Sequence, residues 1–327
     1  MTNQEIPRPR KVKRRLRVGR LILFIFIALS LLFGCLMAGA LAYATFFKHE
    51  APPHTTAASE EISTDETLNK RINVLLLGID DGDSEDIANN APKRTDAMIL
   101  VSFDPENKDV AMLSLPRDTR VTIPGRRWPD KINSAYAYGG VSLAKQTVAN
   151  LLQIPIHYYM LVNWQGFIEV VDMMGGVDMY VEHNMNYEDP YADLKIHIKQ
   201  GYQHLNGKQS GEYVRFRHDE LGDIGRVQRQ QKFLKTLASQ FFTVGNLVKT
   251  PALIQTMFKY VTTDMDAMTM LKAANSFRIF GESSLHSEML FGDFKTIQEI
   301  SYWQTSPSQV TKTLDTLKIP HREINKV

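Results

Sequence analysis

The chain reads as an α/β domain: a central mixed β-sheet flanked by helices in three layers, preceded by one N-terminal transmembrane helix. Three observations predict this. Apolar runs of strand length alternate with helical periodicity from residue 71 onward. The run Leu21–Phe47 contains no charged residue. The composition, 43% hydrophobic and 23% charged, supplies enough apolar surface for a packed core.

Residues 1–20 form a basic tail, with Arg8, Arg10, Lys11, Lys13, Arg14, Arg15, Arg17 and Arg20 against Glu5 alone. Without that tail the remaining chain carries a net charge of −5, taken from the totals of 38 basic and 36 acidic residues. General binding to nucleic acid is therefore not expected. As a helix, residues 21–47 reach roughly 40 Å, enough to cross a bilayer with some tilt. The positive-inside rule keeps the basic tail in the cytosol and sends the rest of the chain outside the membrane. Ala40, Ala42 and Ala44 also fit a secretory cleavage site, and "LFGC" at 32–35 loosely fits a lipoprotein site. Phe33 is bulky for the latter, and the apolar run continues past Cys35, so an uncleaved anchor is the preferred reading. Cys35 is the single cysteine, which leaves the exterior domain with no disulfide or cysteine-ligated metal. Residues 48–70 are polar with two prolines and read as a juxtamembrane linker. Residues 71–327 form the exterior domain, with a motif-bearing core at 71–245 and a helical part at 246–327.

"INVLLLGID" at 72–80 is predicted as a buried central strand. "DAMILVSFD" and "KDVAMLSLPRD" are predicted as an adjacent strand pair joined by the turn "DPENKD". A helix is expected over 141–152 and a strand over 157–162. "WQGFIEVVDMM" reads as a helix stopped by Gly175–Gly176, with a strand after it. "YVRFR" at 213–217 reads as a strand. A long helix is expected over 224–242, then at least two amphipathic helices and one strand near "FKTIQEISYW".

Charge gathers where these elements begin and end. In an extended "YVRFR", Arg215 and Arg217 share one face while Val214 and Phe216 pack inward. Asp223 is placed to cap the next helix, on which Arg226, Arg229 and Gln230 share a face. Guanidinium forks and a helix N-terminus suit phosphate oxygens. The alternative is a solvated salt-bridge face with Asp219, Glu220 and Asp223. Asp80 follows a strand end, Arg94, Thr95 and Asp96 precede the next strand, and Arg117 and Asp118 follow the third. Ligands gather at such strand ends in α/β sheets. Asp80 and Asp96 offer the hard oxygens that, with phosphate oxygens, suit Mg²⁺.

Seven segments in this order carry a family resemblance: "LLLGID", "RTDAMILVSFDP", "LSLPRDT", "KINSAYAYGG", "MGGVDMYV", "GYQHLNGKQSGEYVRFR" and "GDIGRVQRQQKFL". Together they resemble the LytR-CpsA-Psr family over about residues 71–240. The resemblance implies an extracellular phosphotransferase of Gram-positive bacteria. Such an enzyme moves a glycopolymer from a polyprenyl-pyrophosphate carrier to peptidoglycan, with Mg²⁺ and arginines holding the pyrophosphate. It places Asp80 and Asp96 at the metal. It places Arg94, Arg117, Lys131, Arg215, Arg217, Arg226, Arg229 and Gln230 around the pyrophosphate, with Asp118 and Asp223 as support. Asp96, Arg117 and Arg217 are the expected catalytic residues. The loop between Asp80 and Arg94 departs from the family pattern: it is acidic and lacks an arginine often present there.

Other classes fit less well. No HExxH spacing links the histidines, and no G-x-S-x-G elbow occurs. Trp128, Trp164 and Trp303 can stack on sugars, although buried packing is the default for an α/β domain. Two alternatives to the transferase stand: a pyrophosphatase of the same lipid, and a non-catalytic membrane-anchored binding module.

Overall fold

A computed structural model gives the structure of the protein. It describes residues 68–79, 93–104, 106–107, 109–189, 194–219, 222–241, 259–266, 268–270 and 285–325. The expected basic tail, membrane span and linker lie outside these residues. So do Asp80, the acidic loop after it, and most of the segment where further helices were expected. Among the described residues no helix is long and apolar enough to cross a membrane.

The central sheet is mixed. It contains β1 (Ile72–Ile79), β2 (Thr95–Asp104), β3 (Asp109–Ser114), β6 (Tyr158–Asn163), β11 (Val261–Thr263) and β12 (Leu285–Met289), in the order β11-β6-β1-β2-β3-β12. β1 runs antiparallel to β2 and parallel to β6; β3 runs antiparallel to β2 and parallel to β12. Two short strands, β4 (Arg120–Val121) and β5 (Asp130–Lys131), form a small ladder beside it.

Period-2 alternation explains why the strands are apolar throughout. Leu75, Leu77, Met98, Leu100, Ala111 and Leu113 enter one core. Val74, Ile99, Val101, Phe103, Val110 and Met112 enter another. The two sets point to opposite faces, as pleating requires. The first core is closed by α1 (Ser134–Leu152), through Ala144, Val148 and Leu152, and by α5 (Pro307–Thr316), through Val310 and Leu314. Each fully buried Leu or Val contributes about 1.5–3 kcal/mol. The other face meets Met265, Met270 and Leu234 of α4 (Gly222–Phe241).

A third core holds the remaining elements. α2 (Trp164–Met174) ends on Gly175, whose φ of 92° is left-handed, and β7 (Val177–Val181) follows at once. β7 pairs with β10 (Gly201–Leu205), and β8 (Met185–Asp189) pairs with β9 (Leu194–Ile198). α3 (Gly207–Arg215) packs among them through Tyr213, and α4 joins through Phe233.

Three expectations are corrected. "YVRFR" is not a strand: residues 213–215 finish α3, and Phe216 is its extended C-cap. The cause lies upstream, where Asn206 and Gln209 form a reciprocal capping box that starts a helix at Gly207. "FKTIQEISYW" is not one strand but a hairpin of β13 (Asp293–Ile297) and β14 (Ile300–Gln304), turned at Gln298 and Glu299 with positive φ. The helix expected from residue 141 is preceded by a further turn from Ser134, separated by non-helical backbone at Gly139 and Gly140.

Candidate active site at one end of the sheet

The strand directions bring several predicted residues to one end of the sheet. Ile79 ends β1 beside Thr95, which starts β2, and beside Asn163, which ends β6. Ser114 ends β3 beside Met289, which ends β12. Asp96 sits where the β1–β2 register slips, because Gly78 faces Ala97 while Ile79 faces Thr95. A bulge of this kind re-aims a side chain. The Asp96 carboxylate, 45% exposed, accepts a 2.7 Å hydrogen bond at Oδ1 from Nη1 of Arg117.

From Arg117 the charges alternate. Its Nε lies 3.8 Å from Oδ2 of Asp118, and Oδ1 of Asp118 takes Nζ of Lys131 at 2.7 Å. Backbone contacts fix this segment. Thr119 N–H donates to the Pro116 carbonyl, Ile132 N–H to that of Thr119, and Trp303 N–H to that of Asp118. Arg94, exposed before β2, acts electrostatically on Asp130, the neighbour of Lys131. Burial pushes the Asp130 carboxyl up. Hydrogen bonds from the Tyr138 hydroxyl, the Lys131 N–H and Ser134, with the Arg94 charge, outweigh this and leave it below the usual carboxylate range.

A second group forms where α3 meets α4. Arg229 is buried; its Nη1 pairs with Asp219 and its Nη2 donates to the Phe216 carbonyl. Gln230 Nε2 reaches the Val214 carbonyl at 3.5 Å. Arg226 is also buried, at 7% exposure, one turn earlier. Arg217 is exposed just past the α3 cap. The Arg215 guanidinium lies 3.5 Å from the centroid of the Trp164 ring. Asp223 falls within the first turn of α4 rather than ahead of it, which corrects its reading as the cap.

The structure thus gathers Asp96, Arg117, Asp118 and Lys131 in direct contact. Arg215, Arg217, Arg226, Arg229 and Gln230 gather around the α3–α4 junction. Two residues outside the expected phosphate and metal sets tie that junction to the sheet end. Trp164 follows β6 directly and carries Arg215. Gln231 on α4 donates to Ser114 Oγ at 3.0 Å and to the Glu288 carbonyl at 2.7 Å. Gln231 adjoins Gln230 in "QRQQKF", but nothing local marks its partners, which are 117 and 57 residues away.

A metal would meet a sparse donor set. Among the described residues no three His, Cys, Asp or Glu side chains converge. Asp96 offers one half-exposed carboxylate beside guanidinium groups. That fits an ion such as Mg²⁺, which takes one or two carboxylates and completes its shell with water and substrate phosphate.

Fold and site together define a class: a mixed α/β protein whose sheet end is lined by arginines, a lysine and interleaved carboxylates. The chain belongs to the LytR_cpsA_psr family, whose model matches residues 40–319. Polyisoprenyl-teichoic acid--peptidoglycan teichoic acid transferase TagU of Enterococcus faecalis is 33% identical over 247 residues, covering 75% of this chain and 78% of that one. The crystal structure of B. subtilis TagV superposes with a TM-score of 0.67 at 30% identity, covering 76% of this chain and 96% of that one. A structure of TagT bound to LI-WTA superposes with a TM-score of 0.60 at 27% identity, covering 76% and 90%.

Proposed function

We propose that the protein is a phosphotransferase that attaches a glycopolymer, of the teichoic acid type handled by its relatives, from a polyprenyl-pyrophosphate carrier to peptidoglycan. The observation that carries this reading is the alternating chain Asp96–Arg117–Asp118–Lys131 at the sheet end, next to the arginines of α3 and α4. In the reaction an acceptor sugar hydroxyl attacks the phosphorus nearest the glycan. A new P–O bond forms, the bond to the bridging oxygen breaks, and polyprenyl phosphate leaves with that electron pair. The hydroxyl proton passes to a carboxylate, for which Asp96 is the candidate. Arg117, Arg215, Arg217, Arg226 and Arg229 neutralise charge on the phosphate oxygens, which is most of what phosphoryl transfer needs from a protein. Arg94, Lys131 and Gln230 complete the phosphate-binding set. Asp118 holds Arg117 and Lys131 in place. Asp96, with Asp80, would hold Mg²⁺, which when bound neutralises phosphate charge. Residues 21–47 would anchor the chain in the cell membrane, with the N-terminus cytoplasmic and the catalytic domain outside.

The test uses purified full-length protein, a lipid-pyrophosphate glycan and oligomeric peptidoglycan. A glycan–peptidoglycan conjugate is expected, and it disappears with a chelator and in Arg117→Ala. Phosphorylated glycan released without conjugate would indicate hydrolysis instead, and no turnover with retained lipid binding would indicate a binding module.

A further inference from the structure

The loop between β4 and β5 builds a surface that the phosphate chemistry does not use. Trp128 is 71% exposed there, an unusual position for a large aromatic side chain. Residues 125–130 and Tyr302 line a cavity of about 360 Å³. That volume lies within the roughly 300–1,000 Å³ typical of small-molecule sites.

The loop is held in shape. Ile123 is fully buried and anchors it, and Arg126 N–H closes a turn on the Ile123 carbonyl. The Arg126 guanidinium sits 4.0 Å from the Tyr138 ring centroid, and that of Arg127 sits 5.0 Å from the Trp128 ring centroid. Tyr138 hydroxyl donates to Asp130 Oδ2 at 2.6 Å, which fixes the ring that Arg126 covers. The cavity wall therefore offers aromatic faces and forked cationic donors, with the Pro129 ring as its one aliphatic side chain and the Asp130 carboxylate held by Tyr138. Aromatic faces with flanking hydrogen-bond donors suit sugar rings, and the two arginines suit carboxylates on those sugars.

The cavity adjoins the candidate active site through Tyr302. Tyr302 lines it and lies 5.9 Å from Nζ of Lys131, which begins the chain of contacts through Asp118 and Arg117 to Asp96. Its direction also matters. In the sheet order β6-β1-β2-β3, Trp164 and Arg215 follow β6, Asp96 starts β2, and Arg117 follows β3. The cavity thus lies on the β3 side of Asp96, away from Arg215.

We propose that this cavity is the acceptor subsite. It takes an acidic aminosugar glycan strand, with Trp128 as the stacking face and Arg126 and Arg127 reading its carboxylates, and it aims a sugar hydroxyl toward Asp96. This rests on the transferase reading above. The test pairs two measurements on the full chain. The first is binding of a tetrasaccharide of alternating N-acetylglucosamine and N-acetylmuramic acid, with neutral chitotetraose as control, by calorimetry without donor. The second is the KM for each substrate in the transfer assay.

Trp128→Ala is expected to weaken tetrasaccharide binding and raise acceptor KM about tenfold, with donor KM and thermal stability unchanged. Arg127→Ala is expected to remove the preference for the acidic tetrasaccharide over chitotetraose. A change in donor KM alone, or no change in either KM, overturns the proposal while the transferase reading stands. Wild-type binding that Trp128→Ala abolishes, in a protein that transfers nothing, supports the glycan subsite and overturns the transferase reading.

Discussion

Arg117 is bound on two sides, by Asp96 at 2.7 Å and by Asp118 at 3.8 Å. Its planar fork can hold a carboxylate and a phosphate oxygen at once in a fixed relative geometry, which the point charge of a lysine does not impose. Arg117→Lys keeps the charge and loses the fork. The expected result is a fall in kcat of about 10²–10³-fold with an unchanged melting temperature, read from initial rates of transfer. Arg215 shows a different kind of placement. A Cβ built at Gly211, one turn earlier on α3, would fall 2.1 Å from the nearest carbon of the Trp164 ring. Gly211→Ala therefore forces the indole aside. A loss of about 1–3 kcal/mol in urea unfolding is expected, together with weaker donor binding as Arg215 loses its platform. Single residues were the part of the site most legible in the sequence. Arg117, Asp118 and Lys131 meet because segments after one strand and in one loop carry them there. Trp164 and Gln231 were illegible, since their partners are distant in the chain and no local pattern encodes them.

At the scale of elements, β6 is fastened to β1 by a small set of polar contacts. Asn73 N–H donates to Nδ1 of His157 at 3.0 Å, His157 N–H donates to the Asn73 carbonyl at 3.0 Å, and Asn73 Nδ2 donates to the Pro155 carbonyl at 2.8 Å. Nδ1 accepts, so the imidazole must be neutral there. Burial, reinforced by the Lys145 charge, holds its pKa below the ordinary 6.5. The unfolded chain then binds a proton that the folded chain lacks. The stabilising contribution is complete above pH 6.5 and is lost as the pH falls from there through the lower folded value. Urea midpoints measured between pH 8 and pH 5 should drop on the acid side, and His157→Gln should flatten that slope. Strands β1, β2 and β3 were legible because their apolar runs are bounded by clear turns. The end of α3 was misread because "YVRFR" alternates like a strand, while the capping box that decides the matter lies seven residues upstream. β12, "LHSEM", carries no such alternation, and its place beside β3 comes from pairing alone.

At the scale of the whole molecule, the C-terminal segment is part of the main core. Leu290, Val310, Leu314, Leu317, Ile319 and Ile324 are all buried in the cluster that covers the first face of the sheet. β12 closes the β3 edge, and Trp303 Nε1 donates to the Leu290 carbonyl at 3.0 Å. Removing residues 285–327 would strip that face and bare a long strand edge. Such a truncation is expected to aggregate or to lose cooperative unfolding in calorimetry, although residues 71–245 carry nearly all the motifs. The three-layer arrangement could be read from the alternation of strands and helices. The contribution of this late segment could not, because its apolar residues find their partners only in the assembled sheet.

Gly207 and Gly211 on α3 face Ile168 and Trp164 on α2 so closely that no side chain fits between the two helices. Contacting positions recur every fourth residue on both, and Arg215 is the next step of the same row. The guanidinium is thus positioned by an indole platform that the two glycines leave room for. Sequence drift over the rest of these two helices can be wide, so long as those two glycines and Trp164 stay, before the cation's location shifts.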